Sequence, residues 1–566
     1  MLVTRAAQAL SNASEFKTRS FNATKWNTLL VLVSLLFSIP LAVVFGSILF
    51  PEKEVWTHLS DTVLTDYIGN SLALLIGVGF FSLLLGVIPA WMVTMYRFPM
   101  SRQLEWALLL PMSIPAYIIA YSYTGALDVA GPFQTMIRAL TGWHYRDYWF
   151  PEVRSLGGAI AMLSLVLYPY IYLLARAAFI EQSICVLEVS RTLGCNTVDA
   201  FRRVALPLAR PAIMVGLSLV VMETLADYGT VQYFGVSAFT TGIFRTWFGL
   251  GNSMAAAQLS ALLLVFVVFF LYLEKRSRRQ ARYHHTSSRY SRLMQQQLSK
   301  GQGTIALSVC AAPVVFGFII PVGLLINWSL DTYSSVLGKD FYALLFNSLL
   351  LAFITSILAL FIALFMAYSN RNSQSVINRM MVRFVSMGYA IPGTVIAVGV
   401  LIPFAWFDNT LDRILMDNFN INSGLLISGT VFTLIFAYLV RFLAVSINTS
   451  EAALGKIKPV MDEVAKTAGM VPANIVKRIH MPMMRGSLLT ALLLVFVDVL
   501  KELPATLILR PFNFNTLAVR TYELANEELL ADAAVPALAI VMAGIIPVIL
   551  ISNSISKSRP GNKSSQ

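Results

Sequence analysis

Apolar runs of roughly 20 residues recur along the whole of this 566-residue chain. That is the length a helix needs to cross a bilayer. No segment alternates polar and apolar residues in the manner of a barrel strand. The chain is 57% hydrophobic and 13% charged, with mean hydropathy +0.70, whereas a soluble domain carries about a quarter charged residues. The expected fold is an all-α membrane protein with about twelve crossings. The candidate spans are 27–50, 70–95, 104–126, 156–180, 212–236 and 254–273, then 304–328, 342–368, 380–407, 422–448, 485–510 and 533–553.

Charge orients these spans. Arg97 and Arg102, the loop near 188–210, the basic linker 274–303, Arg371 and Arg379, the loop 451–482, and Lys557 with Arg559 all fall on one side. The opposite loops are acidic or mixed, with Glu52, Glu54, Asp61 and Asp66, then Asp408, Asp412 and Asp417, then Glu523, Glu527, Glu528 and Asp532. Lys and Arg collect on the cytoplasmic side, so both termini are expected there. The formal net charge of +13 reads as this asymmetry, and no nucleic-acid partner is expected. Cys185, Cys195 and Cys310 lack CxxC spacing, so neither a disulfide framework nor a zinc site is indicated. His284-His285 reads as solvated linker. The first apolar segment starts too late and runs too long for a cleavable leader, and is read as an uncleaved span.

The chain repeats itself. Asn70-Ser71 and Asn347-Ser348 open matching spans 277 residues apart, and Ser113-Ile114-Pro115-Ala116 matches Ala390-Ile391-Pro392-Gly393 at the same offset. Arg245-Thr246-Trp247 matches Arg520-Thr521-Tyr522 at an offset of 275. The halves are therefore 1–273 and 304–566, six spans each. An even number of spans gives both copies one orientation, related by an axis along the membrane normal.

A polar loop stands at the same place in each half, over 181–211 and 451–484. The first copy reads Glu188-Val189-Ser190, three residues, Gly194, nine residues, then Val204-Ala205-Leu206-Pro207. The second reads Glu463-Val464-Ala465, three residues, Gly469, nine residues, then Ile479-His480-Met481-Pro482. Glycine tolerates the left-handed conformation that ends a helix. Thr197 and Pro472 suit the start of a second short helix, which carries Arg202 or Lys477. Pro207 and Pro482 are expected to break the chain before it re-enters the membrane. The loop resembles the EAA motif of ATP-binding-cassette importer permeases, departing from it at the two alanines. The resemblance implies a short helix seated in a groove of an ATPase subunit. No GxxxxGK[ST] phosphate loop occurs in this chain. ATP and Mg would therefore be bound by a separate ATPase, in two copies for two loops, and this chain would hold no cofactor of its own.

Ionisable residues inside spans are costly and often functional. Glu223 and Asp227 are spaced i, i+4 in span five, and Asp498 and Glu502 repeat them in span eleven at an offset of 275. Carboxylates and the nearby phenols of Tyr228 and Tyr233 are hard oxygen donors suited to hard cations. The alternative is that the acids make salt bridges or line a watered helix end, and Lys501 favours that reading. The stretches Met222–Thr230 and Lys501–Leu507, with Thr240–Phe248 and Leu517–Leu524, look like the fused permease of bacterial ferric-iron importers. That resemblance covers nearly the whole chain. It implies an inner-membrane protein, a periplasmic ferric-binding protein that docks near Arg245 and Arg520, and a cytoplasmic ATPase. Permeases for thiamine, sulfate, polyamines or phosphonates share the loop pattern. A twelve-span secondary transporter is a further alternative, weakened by the repeated long loops, and nothing points to a membrane-embedded enzyme.

Overall fold

The computed structural model describes residues 26–181, 197–279, 296–372 and 375–557. Among these are eleven helices long and apolar enough to cross a membrane, and one sharply bent pair that makes a twelfth. Apart from a two-residue parallel pairing of Tyr96–Arg97 with Gln296–Gln297, the described elements are helical. The all-α, two-repeat architecture is the one expected.

Four of the expected spans are not plain crossings. The third, 104–126, is the bent pair: Ser101–Ser113 and Ala116–Thr141 meet at 91°. Pro115 excludes the residue before it from helical backbone, and Ile114 is extended at ψ 125°. The matching Pro392 likewise separates the turn Gly388–Ala390 from the helix Gly393–Phe419. Span five stops at Ala226, and a separate short helix Gly229–Tyr233 follows. Span eleven stops at Leu500 and is followed by Pro504–Leu509.

The chain forms two compact units, each drawn from discontinuous segments. One takes residues up to Val43, Leu350–Tyr389 and Gly399–Val499; the other takes Val44–Leu349, Ala390–Val398 and Leu500–Gln566. In the first unit the opening helix packs on second-half helices, with Trp26 stacked on Phe365 at 5.3 Å and Phe37 on Phe436 at 5.5 Å. The helix Val431–Leu454 is the most enclosed of its spans. At its end Leu364, Ala367, Leu454, Ile457, Met484 and Leu488 form a buried cluster.

In the second unit Leu64–Met95 and Leu206–Ala226 both pack along Leu156–Glu181. Small residues make that approach close. A Cβ on Gly86 would fall 2.9 Å from the Ile171 Cβ, and one on Gly216 would fall 2.8 Å from the Ile171 Cα. Glycine lets membrane helices meet through backbone in this way. Ile320–Val336 packs on the last helix, Leu530–Lys557.

Candidate functional site

The second loop is described in full and belongs to the first unit. Its helix Pro459–Thr467 ends where Gly469 turns left-handed, φ 78°. The Met470 N–H reaches back to the Ala465 carbonyl at 3.0 Å and the Gly469 N–H to the Lys466 carbonyl at 3.1 Å. These bonds satisfy carbonyls that a helix end leaves open. A second helix starts at Pro472, with proline in its first turn. One face of the loop is buried through Asp462, Ala465, Ile475 and His480. The other leaves Val460, Val464 and Val471 at 59%, 62% and 56% exposure, ringed by exposed Glu463, Lys466, Lys477 and Arg478. Val460 and Val464, one helical turn apart, and Val471 thus leave apolar side chains bare on an otherwise polar loop.

In the first loop Glu188 and Gly194 lie outside the described residues. The described part runs from Thr197–Ala200 through Phe201–Ala205, with Arg202 and Pro207 exposed and Arg203 paired to Asp199 at 3.4 Å.

Neither proline breaks the chain, contrary to the sequence expectation. Phe201–Ala205 and Val476–His480 are single π turns, at the same offset of 275, and each leads directly into a spanning helix. The Leu206 N–H bonds the Phe201 carbonyl, and the Met481 N–H bonds the Val476 carbonyl. This wide turn sits just before the proline, where a normal α turn would clash with the ring. The helix therefore continues, and the short helix before each proline forms one rod with its span.

The acidic pairs are also rearranged. Glu223 is half-buried on Leu206–Ala226, but Asp227 lies past that helix, in extended backbone. The two do not share a helix face. Instead Asp227 caps the next helix: Oδ1 accepts the Thr230 and Val231 N–H groups at 3.0 and 3.1 Å, and Oδ2 accepts the Thr230 hydroxyl at 3.0 Å. Glu502 repeats this. Its Oε1 accepts the Ala505 N–H at 3.1 Å, and Oε2 accepts the Thr506 N–H and hydroxyl at 3.1 and 2.9 Å. A carboxylate at a helix start satisfies open N–H groups and complements the helix dipole. Asp498 remains buried on Met481–Leu500. An i, i+4 spacing assumes an unbroken helix; Gly229 and Pro504, two residues past Asp227 and Glu502, are the marks of the break in the sequence.

The second unit brings the two breaks together. A Cβ on Gly229 would fall 2.8 Å from Leu503 Cδ2 and 2.9 Å from Tyr117 Cβ, so only glycine fits. Tyr228 stacks on Phe244 at 3.7 Å and lies 6.0 Å from the Tyr522 ring, which in turn meets Tyr117 edge-on at 6.2 Å. Tyr522 marks the repeat in the sequence, but Tyr117 has no such sign, because a phenol in an apolar run reads as packing. Tyr233 has Arg154 over its ring at 5.1 Å. Exposed Arg245 donates to the Ser237 hydroxyl at 3.2 Å. Arg520 lies 3.8 Å from Glu523, which also pairs with Arg510 at 2.8 Å. An open cavity of about 860 Å³ sits between the loop 128–154 and Glu528, lined by Tyr145, Tyr148, Trp149 and Arg154 among others. The loop's dense aromatic and charged residues were the available sign of it. Among the described residues, no three His, Cys, Asp or Glu side chains are placed to hold a metal ion.

Comparison with known proteins matches residues 82–279 and 359–558 to one family, described as binding-protein-dependent transport system inner membrane component. The Fe(3+)-transport system permease protein FbpB 2 of Haemophilus influenzae is 25% identical over 535 residues, covering 93% of this chain and 97% of that one. The ferric transport system permease protein FbpB of Actinobacillus pleuropneumoniae is 22% identical over 81% of this chain and 67% of its own. The sulfate transport system permease protein CysT of Salmonella typhimurium is 24% identical, over 36% of this chain and 72% of its own.

Proposed function

Because this chain belongs to the binding-protein-dependent transport system inner membrane components, we propose that it is the fused permease of an ATP-driven importer of ferric iron. One observation carries the cargo assignment: the likeness to a ferric-transport permease runs nearly end to end, 93% of one chain on 97% of the other. The two matched stretches fall one in each half, in keeping with two permease repeats on one polypeptide, 1–273 and 304–566, joined by the cytoplasmic linker 274–303.

The loops 181–211 and 451–484 dock two copies of an ATPase subunit, which bind ATP and Mg. In the first loop Glu188, Gly194, Arg202 and Pro207 take part; in the second, Glu463, Gly469, Lys477 and Pro482. The exposed valines of the second loop supply apolar contact, and its basic rim orients the partner. Because the short helix before each proline is one rod with its span across the π turn, a push on that helix tilts the span. Both termini are cytoplasmic. A loaded ferric-binding protein docks on the opposite face, near Arg245 and Arg520. Glu223, Asp227, Asp498 and Glu502 stand along the substrate route, Asp227 and Glu502 by holding the broken helices in shape. Different affinities of the partners for inward- and outward-open states bias the cycle.

The test is uptake of radiolabelled ferric iron by iron-starved cells with and without this chain, with ATP depletion as control and unlabelled thiamine and sulfate as competitors. Loss of ATP-dependent uptake on deletion, insensitive to both competitors, is the expected result. Unchanged iron uptake overturns the cargo, and competition by sulfate moves it to the oxyanions.

A further inference from the structure

We propose that Arg371, Asp462 and His480 form a buried linkage that ties the second coupling loop to three membrane helices, so that the three act as positioning residues in energy coupling. The inference rests on the docking role of 451–484 and adds the route by which the loop's movement enters the bilayer.

Asp462 stands one residue before exposed Glu463 yet is only 5% exposed, and His480 is fully buried. His480 Nε2 lies 2.6 Å from Asp462 Oδ1, and Arg371 Nε donates to Asp462 Oδ2 at 2.9 Å. Arg371 also donates through Nη2 to the Ile457 carbonyl at 2.8 Å and through Nη1 to the Leu454 carbonyl. A single guanidinium at the end of Lys339–Asn372 thus closes the end of Val431–Leu454 and grips the loop helix Pro459–Thr467. His480 joins that loop helix to the start of Met481–Leu500. Its Nδ1 has no hydrogen-bond partner, so its polar contact is spent on Asp462. A half-buried bond from Asn370 to Glu451 at 2.8 Å and an exposed one from Lys466 to Asn372 at 3.1 Å add to it.

The physical consequence is directional stiffness. Apolar neighbours slide past one another with little penalty. A buried carboxylate cannot leave its guanidinium without standing charged and unpaired. When the loop moves, the three helices move with it.

The first half does not repeat these three residues. At the repeat offsets the sequence places Thr94, Leu187 and Ala205 in these positions. There Phe201 packs instead on Trp91 at 5.1 Å and Phe179 at 6.4 Å. The second loop is thus held by an ion pair, whereas among the described residues of the first half the matching region is packed by aromatic rings.

The test uses the whole transporter in proteoliposomes, with the ferric-loaded binding protein, reading ATPase-subunit retention, ATP hydrolysis and iron uptake. Asp462→Asn should retain the ATPase subunits and hydrolyse ATP, while iron moved per ATP falls on the order of tenfold, the scale of coupling changes along such networks. Asp462→Glu should recover part of the ratio. If Asp462→Asn fails to accumulate, His480→Gln, which keeps the Arg371–Asp462 pair, is expected to lower the ratio by a smaller factor. An unchanged ratio in whichever of these variants assembles overturns the linkage. Val464→Glu, on the bare face, separates the two ideas: it should release the ATPase subunits. Normal retention and coupling in Val464→Glu would overturn the docking reading and the linkage that rests on it. Release by Val464→Glu with a normal ratio in Asp462→Asn would overturn the linkage alone.

Discussion

Gly469 offers the sharpest quantitative test of the loop. Its φ of 78° lies in the region that an L side chain enters at about 1–2 kcal/mol. A Cβ there would meet nothing within 4 Å, so no steric clash adds to that figure, and the penalty of Gly469→Ala is conformational alone. One to two kcal/mol reduces the fraction of correctly shaped loops by about 5- to 30-fold. Asparagine tolerates the left-handed cap better than alanine, so Gly469→Asn should fall between glycine and alanine. Proline cannot leave φ near −65° and has no N–H. Gly469→Pro therefore loses the 3.1 Å bond to the Lys466 carbonyl as well as the turn, and should uncouple hydrolysis from uptake. The assay is ATPase retention and iron moved per ATP in proteoliposomes, with yield of inserted protein as control. The order Gly, Asn, Ala, Pro is expected at constant yield. A proline variant that couples normally, or an alanine variant no worse than asparagine, refutes the reasoning.

Other perturbations separate scaffold from route. Asp227→Asn and Glu502→Gln each weaken a three-bond cap, an effect of about 1–2 kcal/mol, and should lower thermal stability in detergent along with uptake. Glu223→Gln combined with Asp498→Asn touches neither cap; it should lower iron uptake while ATPase binding and melting temperature stay near wild type, and full uptake would show these two acids to be scaffold. Arg176 is nearly buried and pairs with Glu105 at 2.6 Å. Arg176→Met alone strands the acid and should destabilise by about 3–5 kcal/mol, read as lost yield or a fall in melting temperature. Adding Glu105→Leu should restore much of that loss, and no restoration would show the arginine packs rather than pairs.

Local features of the coupling loop were legible because they depend on near neighbours. The left-handed glycine and the helix start at Pro472 follow from single-residue preferences, and both are present. The proline break failed for a matching reason. Whether a proline ends a helix depends on the turn before it, and a π turn leaves no mark in composition. The carboxylate pairs show the same limit from the other side. An i, i+4 spacing predicts a shared face only if the helix runs through both residues, and here it ends between them. The linkage of Arg371, Asp462 and His480 was invisible for want of proximity: its ion pair joins residues 91 apart, and an acid beside Glu463 reads as solvated surface.

What the chain determined by itself is periodic or repeated. Span length, the two-fold repeat and the local form of the second loop all follow from rules that act over a few turns of helix or from the repeat itself. Tertiary structure decided the rest. In the first unit the opening span packs with second-half helices; within the second, Ile320–Val336 packs on the last helix, and the segments at Gly229 and Leu503 close on one another. An apolar span satisfies its own backbone and presents much the same greasy surface to every neighbour. Its sequence therefore says that it crosses, and only packing, through a glycine notch or a buried charge, says against what.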